Sequence, residues 1–312
     1  MHFAIIGAGG VGGYFGGRLA QTGEKVTFLA RGLHLAAIQD RGLWVESVNG
    51  DFYLSPVTAF DSPEKIGPVD VVLVATKAWQ VAEIAPSLRP LLRPETLVIP
   101  LQNGVTAADE LSAALGAEHV LGGLCRISAF IGGPGLIKHV GVSPYLAFGE
   151  RDGARTERVE HLRQVFARCQ GVTVEVPEDI EAASWDKFIF IAAVSGLGAV
   201  TRQPLGGFRA VPESRARLVA ALEETTALAR AKGIRLPNDQ VEKILALIDR
   251  SAPGIVPSMA KDILAGKPSE LEAQTGAVVR LGRELGLPTP THDFIYACLL
   301  PGELQARENS KS

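Results

Sequence analysis

The 312-residue chain is short of cysteine: Cys125, Cys169 and Cys298 lie far apart and outside any CxxC or Cys/His cluster. That pattern suits reduced thiols in a reducing compartment, argues against a structural zinc site, and leaves no metal ligand set in view. An excess of basic charge is missing as well. With 31 Lys and Arg against 34 Asp and Glu, the net charge is -3, and no basic stripe is available to follow a phosphate backbone, so nucleic acid is not an expected partner. The opening MHFAIIGAGG lacks the basic start and small-residue cleavage site of a signal peptide, so export is not expected. The longest apolar stretch, after Ser184, is broken by Gly196 and Gly198 and carries Asp186 and Lys187 at its start. It falls short of the roughly 20 residues that span a bilayer. Internal repeats and low-complexity segments are absent. The expectation is a cytoplasmic protein with no membrane partner and a polar, frayed tail, QARENSKS.

Apolar residues make up 46% of the chain and charged residues 21%, enough apolar material for a sizeable core, and the length favours two domains. The first half alternates β-rich runs with helical stretches: FAIIG, a helix from about Val11 to Thr22, KVTFLA, and a helix around Leu33 to Arg41. Strands at 69–76 and 96–101 follow. This is the pattern of a parallel sheet of Rossmann type built from βαβ units. Residues 122–149 read as antiparallel hairpins extending that sheet, and a helix near Thr156–Cys169 with a strand at 172–176 completes the domain, 1–176. From 177 to 312 long helical periodicity takes over, so the expected second domain is all helical.

Gly7-Ala8-Gly9-Gly10-Val11-Gly12 matches GxGxxG and stands directly after a strand and at the opening of a helix. In that setting Gly7 permits the tight turn, Gly9 lets a pyrophosphate approach the backbone, and Gly12 allows close helix-to-strand packing. The helix N-terminus adds free N–H groups and positive potential. A carboxylate at the end of the second strand would mark NAD, but that strand runs Thr27-Phe28-Leu29-Ala30-Arg31. Arg31 suits a 2′-phosphate, which a guanidinium can meet in bidentate fashion, so NADP(H) is the expected cofactor; a solvated surface arginine is the plain alternative. Lys77 and Asn103 follow later strands, at the edge where open α/β sheets bind ligands. Asn103-Gly104 is equally an ordinary turn dipeptide.

In SWDKFIFIAAVSGLGAV, apolar residues cover every face of a helix, and Lys187 lies in what reads as its first turn. Its ammonium must snorkel to solvent, pair with a carboxylate, or lie in a cleft where desolvation suits it to proton transfer. Residues 187, 191 and 195 share a face and present Lys, Ile and Ser. A second polar cluster holds Ser258, Lys261 and Asp262, then Ser269, Glu270 and Glu272. Ser258 suits a substrate carboxylate, and Glu270 suits a ribose or the orientation of the lysine. An N-cap at Ser258 and a capping box from Ser269 to Glu272 are the structural readings of the same residues.

Taken in order, GAGGVG, Arg31, the ATK and QNG strand ends, WDK and SMAKDILAGKPSELE make the chain resemble the ketopantoate reductase (2-dehydropantoate 2-reductase) family over nearly its whole length. The resemblance implies an NADPH-binding Rossmann-type domain and a helical domain of the 6-phosphogluconate-dehydrogenase C-terminal type, used for substrate binding and dimerisation. It implies reduction of ketopantoate to pantoate, on the way to pantothenate and coenzyme A. By the same resemblance Gly7, Ala8, Gly9, Gly10, Val11 and Gly12 hold the pyrophosphate, Arg31 the 2′-phosphate, and Lys77 lies near the cofactor. Ser128 offers the cofactor a backbone contact. Asn103 touches cofactor and substrate, Lys187 is the catalytic lysine, Ser258 binds the substrate carboxylate, and Glu270 sits near the ribose and the reacting groups. A homodimer is the expected assembly.

The chain departs from the family pattern at three places. Asparagines are typical where it has Ile191, Ser195 and Leu205. A pocket without those polar contacts discriminates weakly for ketopantoate's 4-hydroxyl, which points to a more apolar 2-keto acid. The remaining alternatives are a related 2-keto acid or imine reductase and a non-catalytic NADP(H)-binding redox sensor.

Overall fold

The computed structural model describes residues 1–310. Two compact units emerge: Met1–Gln102 with Thr106–Ile180, and Asn103–Val105 with the chain from Glu181 onward.

The first unit is built on a five-stranded parallel sheet in the order β5-β2-β1-β6-β7, formed by β1 (His2–Ile6), β2 (Lys25–Leu29), β5 (Thr58–Phe60), β6 (Val71–Val74) and β7 (Leu97–Pro100). Alternating side chains of β1 enter two different cores. Phe3 and Ile5 join Phe28, Leu73 and Ile99 on one face, while Ala4 and Ile6 join Val72, Val74 and Val98 on the other. Burial on both faces explains why these strands read as continuous apolar runs rather than as alternation. Helices α1 (Gly10–Gln21) and α2 (Gly32–Arg41) follow β1 and β2. Helices α3 (Val81–Ile84) and α4 (Ala107–Leu115) contribute Val81, Ile84 and Leu111 to the second core.

Residues 122–149 form strands as expected but do not extend the parallel sheet. The hairpin of β9 (Ala129–Gly133) and β10 (Leu136–His139) joins β3 (Leu43–Ser47) and β4 (Phe52–Leu54) in a separate sheet, β4-β3-β10-β9. Strands β8 (Gly122–Arg126), β11 (Tyr145–Gly149) and β12 (Thr173–Glu175) make a third, β12-β11-β8, with α5 (Glu157–Phe166) between β11 and β12 in sequence. The parallel sheet ends at β7 because only one isolated bridge, Val98 to Val120, leads beyond it.

The second unit is helical: α6 (Ile180–Thr201), α7 (Leu205–Ala210), α8 (Pro212–Ala231), α9 (Gln240–Arg250), α10 (Ser258–Leu264), α11 (Thr275–Leu285) and α12 (Pro290–Asn309). Helix α6 is its axis. Ile189, Ala193, Val194 and Leu197 enter one apolar cluster with Leu205, Phe208, Leu218 and Ile248. Trp185, Phe188 and Ala192 enter another with Leu228, Ala229 and Val278. Each large apolar side chain buried this way contributes about 1.5–3 kcal/mol, which explains an apolar residue on every face. By length and composition α6 could cross a membrane, but 61% of its apolar window is buried inside the fold.

Three local expectations are corrected. Helix α6 starts at Ile180, so Lys187 lies two turns inside it rather than in its first turn. Pro257, not Ser258, occupies the N-cap of α10, because its fixed φ of -62° with ψ of 156° already supplies the entry geometry. Ser269 to Glu272 opens no helix: α11 begins at Thr275, and Glu272 instead accepts hydrogen bonds from Arg280 and from the Tyr296 hydroxyl. The tail is also more ordered than its polarity suggests. Gln305 to Asn309 continue α12, with Ala306 buried, while Lys311 and Ser312 lie outside the described residues.

Candidate functional site

In the first unit, register brings the candidate residues to one sheet edge. Ile6 pairs with Leu29 and with Val74, and Val74 pairs with Pro100, so the strands end level. Gly7, Arg31, Lys77 and Gln102 therefore emerge together from the carboxyl ends of β1, β2, β6 and β7, the ligand-binding edge of a doubly wound sheet.

The glycine turn is assembled from distinct constraints. Gly7 takes φ of +97°, and both its N–H and that of Ala8 donate to the Leu29 carbonyl at 3.1 Å. A Cβ on Gly12 would lie 2.0 Å from the Gly7 carbonyl oxygen and 2.9 Å from the Ile5 side chain, so helix and strand touch there. Gly10 is constrained too, because its Cβ would lie 2.2 Å from the Ala129 carbonyl oxygen of β9. Ser128, the residue before Ala129, is thereby held beside the start of α1, its own carbonyl taken by the Val140 N–H at 2.9 Å. Gly9 differs from all of these: nothing lies within 4 Å of where its Cβ would be. It is the N-cap of α1 without a side-chain cap, so the first N–H groups of the helix, those of the Gly10-Val11-Gly12 turn, keep the polarity an anion needs. An open backbone face, an uncapped helix start and an exposed Arg31 at the N-cap of α2 fit a dinucleotide with an added phosphate on its ribose.

Three further residues brace this edge. His34, in the first turn of α2, donates from Nε2 to the Ala8 carbonyl at 2.8 Å and accepts the Gly135 N–H on Nδ1 at 3.1 Å. Gln102 donates from Nε2 to the carbonyls of Val74 and Thr76 at 2.9 and 3.1 Å, tying the end of β7 to that of β6. Its Oε1 and the Thr76 hydroxyl are buried with no hydrogen-bond partner. Lys77 is exposed, with its ammonium 5.6 Å from the centre of the Trp79 ring and its backbone N–H donating to the Gln80 side chain at 3.1 Å.

In the second unit, Asn103 donates from Nδ2 to Glu270 Oε2 at 2.8 Å, across 167 residues of sequence. Both the turn and the site readings of Asn103-Gly104 are realised: Gly104 takes φ of +105°, and a Cβ there would lie 2.8 Å from the Ala273 carbonyl oxygen. Glu270 is only 6% exposed, and Gln274 Nε2 approaches the same Oε2 at 3.5 Å. The segment carrying Glu270 is held from behind. The Ser269 N–H donates to both carboxylate oxygens of Glu303 at 3.1 Å and its hydroxyl to Oε2 at 2.5 Å, while Arg307 pairs with Glu303 at 2.7 Å and donates to the Ser269 carbonyl at 3.0 Å.

Lys187 is half-buried on α6 between the buried Trp185 and Phe188, and the neighbouring Asp186 accepts from Gln240 at 2.7 Å. Ser195, two turns on, is 2% exposed. The next residue, Gly196, brings α6 against α11, since its Cβ would lie 3.4 Å from the Thr275 hydroxyl. Gly198 brings it against α10, since its Cβ would lie 3.7 Å from that of Ala260. Ser258, first residue of α10, is exposed. Of the three departures, Ile191 is half-buried and Leu205 is fully enclosed in an apolar cluster, so Leu205 presents no surface to a ligand. Among the described residues no group of three or more His, Cys, Asp or Glu is placed to hold a metal ion.

Sequence reasoning did not find His34, Gln102, Gln274 or Glu303. The partners of His34 lie 26 and 101 residues away, and those of Glu303 34 residues away, beyond any local pattern. Gln102 could have been suspected from its place in the same strand-end motif as Asn103.

Comparison with known proteins gives consistent matches along the chain. Residues 3–153 match the model "Ketopantoate reductase PanE/ApbA", and residues 179–303 match "Ketopantoate reductase PanE/ApbA C terminal". An uncharacterized oxidoreductase of Bacillus subtilis, YkpB, is 33% identical over 96% of this chain and 98% of its own length. A 2-dehydropantoate 2-reductase of Mesorhizobium japonicum is 31% identical over 95% of this chain and 96% of its own. The crystal structure of a PanE/ApbA family ketopantoate reductase from Ralstonia eutropha superposes with a TM-score of 0.89 at 32% identity, covering 98% of this chain and 100% of that one.

Proposed function

The chain belongs to the ketopantoate reductase family, and from that premise we propose that it reduces 2-dehydropantoate to pantoate with NADPH, serving pantothenate and coenzyme A synthesis in the cytoplasm. Its class is that of an oxidoreductase acting on a CH–OH group, and the family's cofactor is NADPH. The observation that carries the proposal is the buried Asn103–Glu270 hydrogen bond, which fixes a strand-end amide and a carboxylate in one polar cluster of the helical unit.

Bound NADPH supplies the hydride that reduces the 2-keto carbon. The proton for the keto oxygen comes from the Lys187 ammonium, which stabilises the alkoxide as negative charge develops and is then reprotonated from solvent. Glu270 holds the Asn103 amide in place, leaving the amide oxygen and its second N–H to orient the ligands. Ser258 donates to the substrate carboxylate. The Gly7–Gly12 turn and the start of α1 bind the pyrophosphate, with Ser128 adding a backbone contact, while Arg31 reads the 2′-phosphate and Lys77 lies beside the cofactor. The helical unit is assigned the homodimer contact, which light scattering coupled to size exclusion tests.

Half-buried Ile191, one turn after Lys187, favours a second reading, in which the preferred substrate is a more apolar 2-keto acid. NADPH oxidation by the purified protein, followed with ketopantoate and with a panel of 2-keto acids, separates the two. Ketopantoate is expected to turn over fastest, and Lys187→Ala to remove most of that rate. Faster turnover of an unhydroxylated keto acid refutes the ketopantoate assignment. NADPH binding without turnover of any keto acid refutes the enzyme reading. An Arg31→Ala variant that kept its preference for NADPH over NADH would contradict the cofactor assignment.

A further inference from the structure

The pyrophosphate turn has glycine where a peptide unit most needs restraint. The Ala8–Gly9 peptide lies between the β1 exit and the start of α1, and the open space around Gly9 leaves rotation of that unit without steric resistance. A trans peptide points its C=O and N–H in opposite directions, so the direction of the Ala8 carbonyl sets that of the Gly9 N–H. Turned one way, the unit offers the phosphates a donor. Turned the other, it offers them a carbonyl oxygen, which repels an anion.

His34 holds that carbonyl. Because Nδ1 accepts the Gly135 N–H at 3.1 Å, the ring is neutral with its proton on Nε2, and that proton goes to the Ala8 oxygen at 2.8 Å. The ring is fixed from its other side as well: Gly135 takes φ of +78°, and its carbonyl accepts the Trp44 N–H at 2.9 Å. His34 stands three residues after Arg31, in the first turn of α2, so one side chain joins the phosphate turn, the arginine-bearing helix and the turn of the β9–β10 hairpin.

We propose that His34 is the positioning residue of the cofactor turn, holding the Ala8–Gly9 peptide with its N–H toward the pyrophosphate; this rests on the assignment of that turn to NADP(H). It touches neither cofactor nor substrate in this role and acts through the Ala8 carbonyl. The pyrophosphate is common to NADPH and NADH, so its loss weakens both cofactors alike, whereas loss of Arg31 weakens NADPH alone.

The test is Kd for NADPH and for NADH, by cofactor fluorescence, on the wild-type protein and on His34→Phe, His34→Gln and Arg31→Ala, with circular dichroism and melting as fold controls. His34→Phe keeps a flat ring without hydrogen bonds. It is expected to raise both Kd values by a similar factor of about ten, as loss of one well-placed hydrogen bond predicts. At saturating NADPH its kcat and the keto acid KM should stay near wild type. His34→Gln, whose amide carries both a donor and an acceptor, should recover most of the affinity. Should the phenylalanine variant fail to fold, His34→Asn, too short to reach Ala8, takes its place with the same expected result. A folded variant without the hydrogen bond but with wild-type affinity for both cofactors overturns the inference, as does a fall in kcat at saturation. Wild-type protein that binds neither cofactor overturns the underlying assignment, and the inference with it.

Discussion

Gly9→Ala and Gly12→Ala separate the two demands placed on the glycine turn. Position 9 has φ of -74° and ψ of -162°, an ordinary extended conformation for alanine, and its Cβ would meet nothing within 4 Å. Alanine at a compatible position gains about 0.4–1 kcal/mol from the unfolded state, while alanine in place of glycine at an N-cap costs a similar few tenths to 1 kcal/mol, so the fold should be nearly indifferent. Position 12 behaves oppositely: a Cβ 2.0 Å from a backbone oxygen forces α1 off β1, at a cost of about 1–3 kcal/mol or more. If the empty space at Gly9 is where a pyrophosphate lies, the methyl group blocks close approach. Gly9→Ala should then melt within a few degrees of wild type yet lose at least about tenfold in NADPH affinity, roughly the 1.4 kcal/mol of one good charge-assisted hydrogen bond. Gly12→Ala should lose both stability and affinity. Melting curves with and without NADPH, together with NADPH titrations, read both quantities. Wild-type NADPH affinity in Gly9→Ala would refute the placement of the pyrophosphate against that face.

Other consequences follow from particular residues. Ile191→Asn, by offering a hydroxyl one partner worth about 0.5–1.5 kcal/mol, should raise kcat/KM for ketopantoate about 2- to 10-fold relative to an unhydroxylated 2-keto acid; an unchanged ratio would remove Ile191 from the specificity argument. The exposed Cys298 should react at once with a thiol reagent, while the buried Cys125 and Cys169 wait for unfolding; burial pushes the Cys169 thiol up to about 12, so raising the pH to 9 should not release it. Hydrogen bonds from Arg158, ahead of the opposing effect of burial, hold the Glu150 carboxyl below its ordinary 4.5. A depressed carboxyl pKa gives stability that is present above the unfolded value and lost as pH falls through the folded one. The difference in melting temperature between wild type and Glu150→Gln should therefore be largest near neutrality and shrink below about pH 4.5; a pH-independent difference would show that the ion pair contributes nothing to it.

The parts of the fold that were legible from sequence are those whose pattern is one-dimensional. Strands β1, β2, β6 and β7 are buried on both faces, so each is a short apolar run bounded by turns, and the helical unit announces itself through long periodic segments. Strands β3, β4 and β5 escaped notice. Trp44 and Tyr53 are half exposed, and the strands run only three to five residues, so neither length nor hydropathy marks them. Asn49-Gly50 between β3 and β4, with Gly50 at φ of +98°, was the available signal for that hairpin. Attachment of β9 and β10 to β3 rather than to the parallel sheet could not be read, because pairing between strands some ninety residues apart leaves no local trace.

The site divides along the same line. Glycines and strand-end polar residues are legible because their roles follow from backbone geometry at a fixed place in the fold, whereas His34, Gln274 and Glu303 act through partners that only folding brings near. Lys187 shows both limits at once. Its apolar surroundings suggested a helix start, where the helix dipole would bear on its charge, but α6 begins at Ile180 and the dipole fades within the first turn, so the N-terminal dipole is not what conditions this ammonium. What the helix provides is rigidity: Trp185 and Phe188 anchor it in one core, Ile189 in another, and Asp186 is tied to Gln240. A proton donor on such a frame is held in position whatever the substrate carries at its far end. That explains why the reaction class can be inherited intact while Ile191 and Ser195, on the same face, change the polarity of what lies beside it. Leu205 does not belong to that argument, since it is sealed in the core of the unit, and the substrate question narrows from three positions to two.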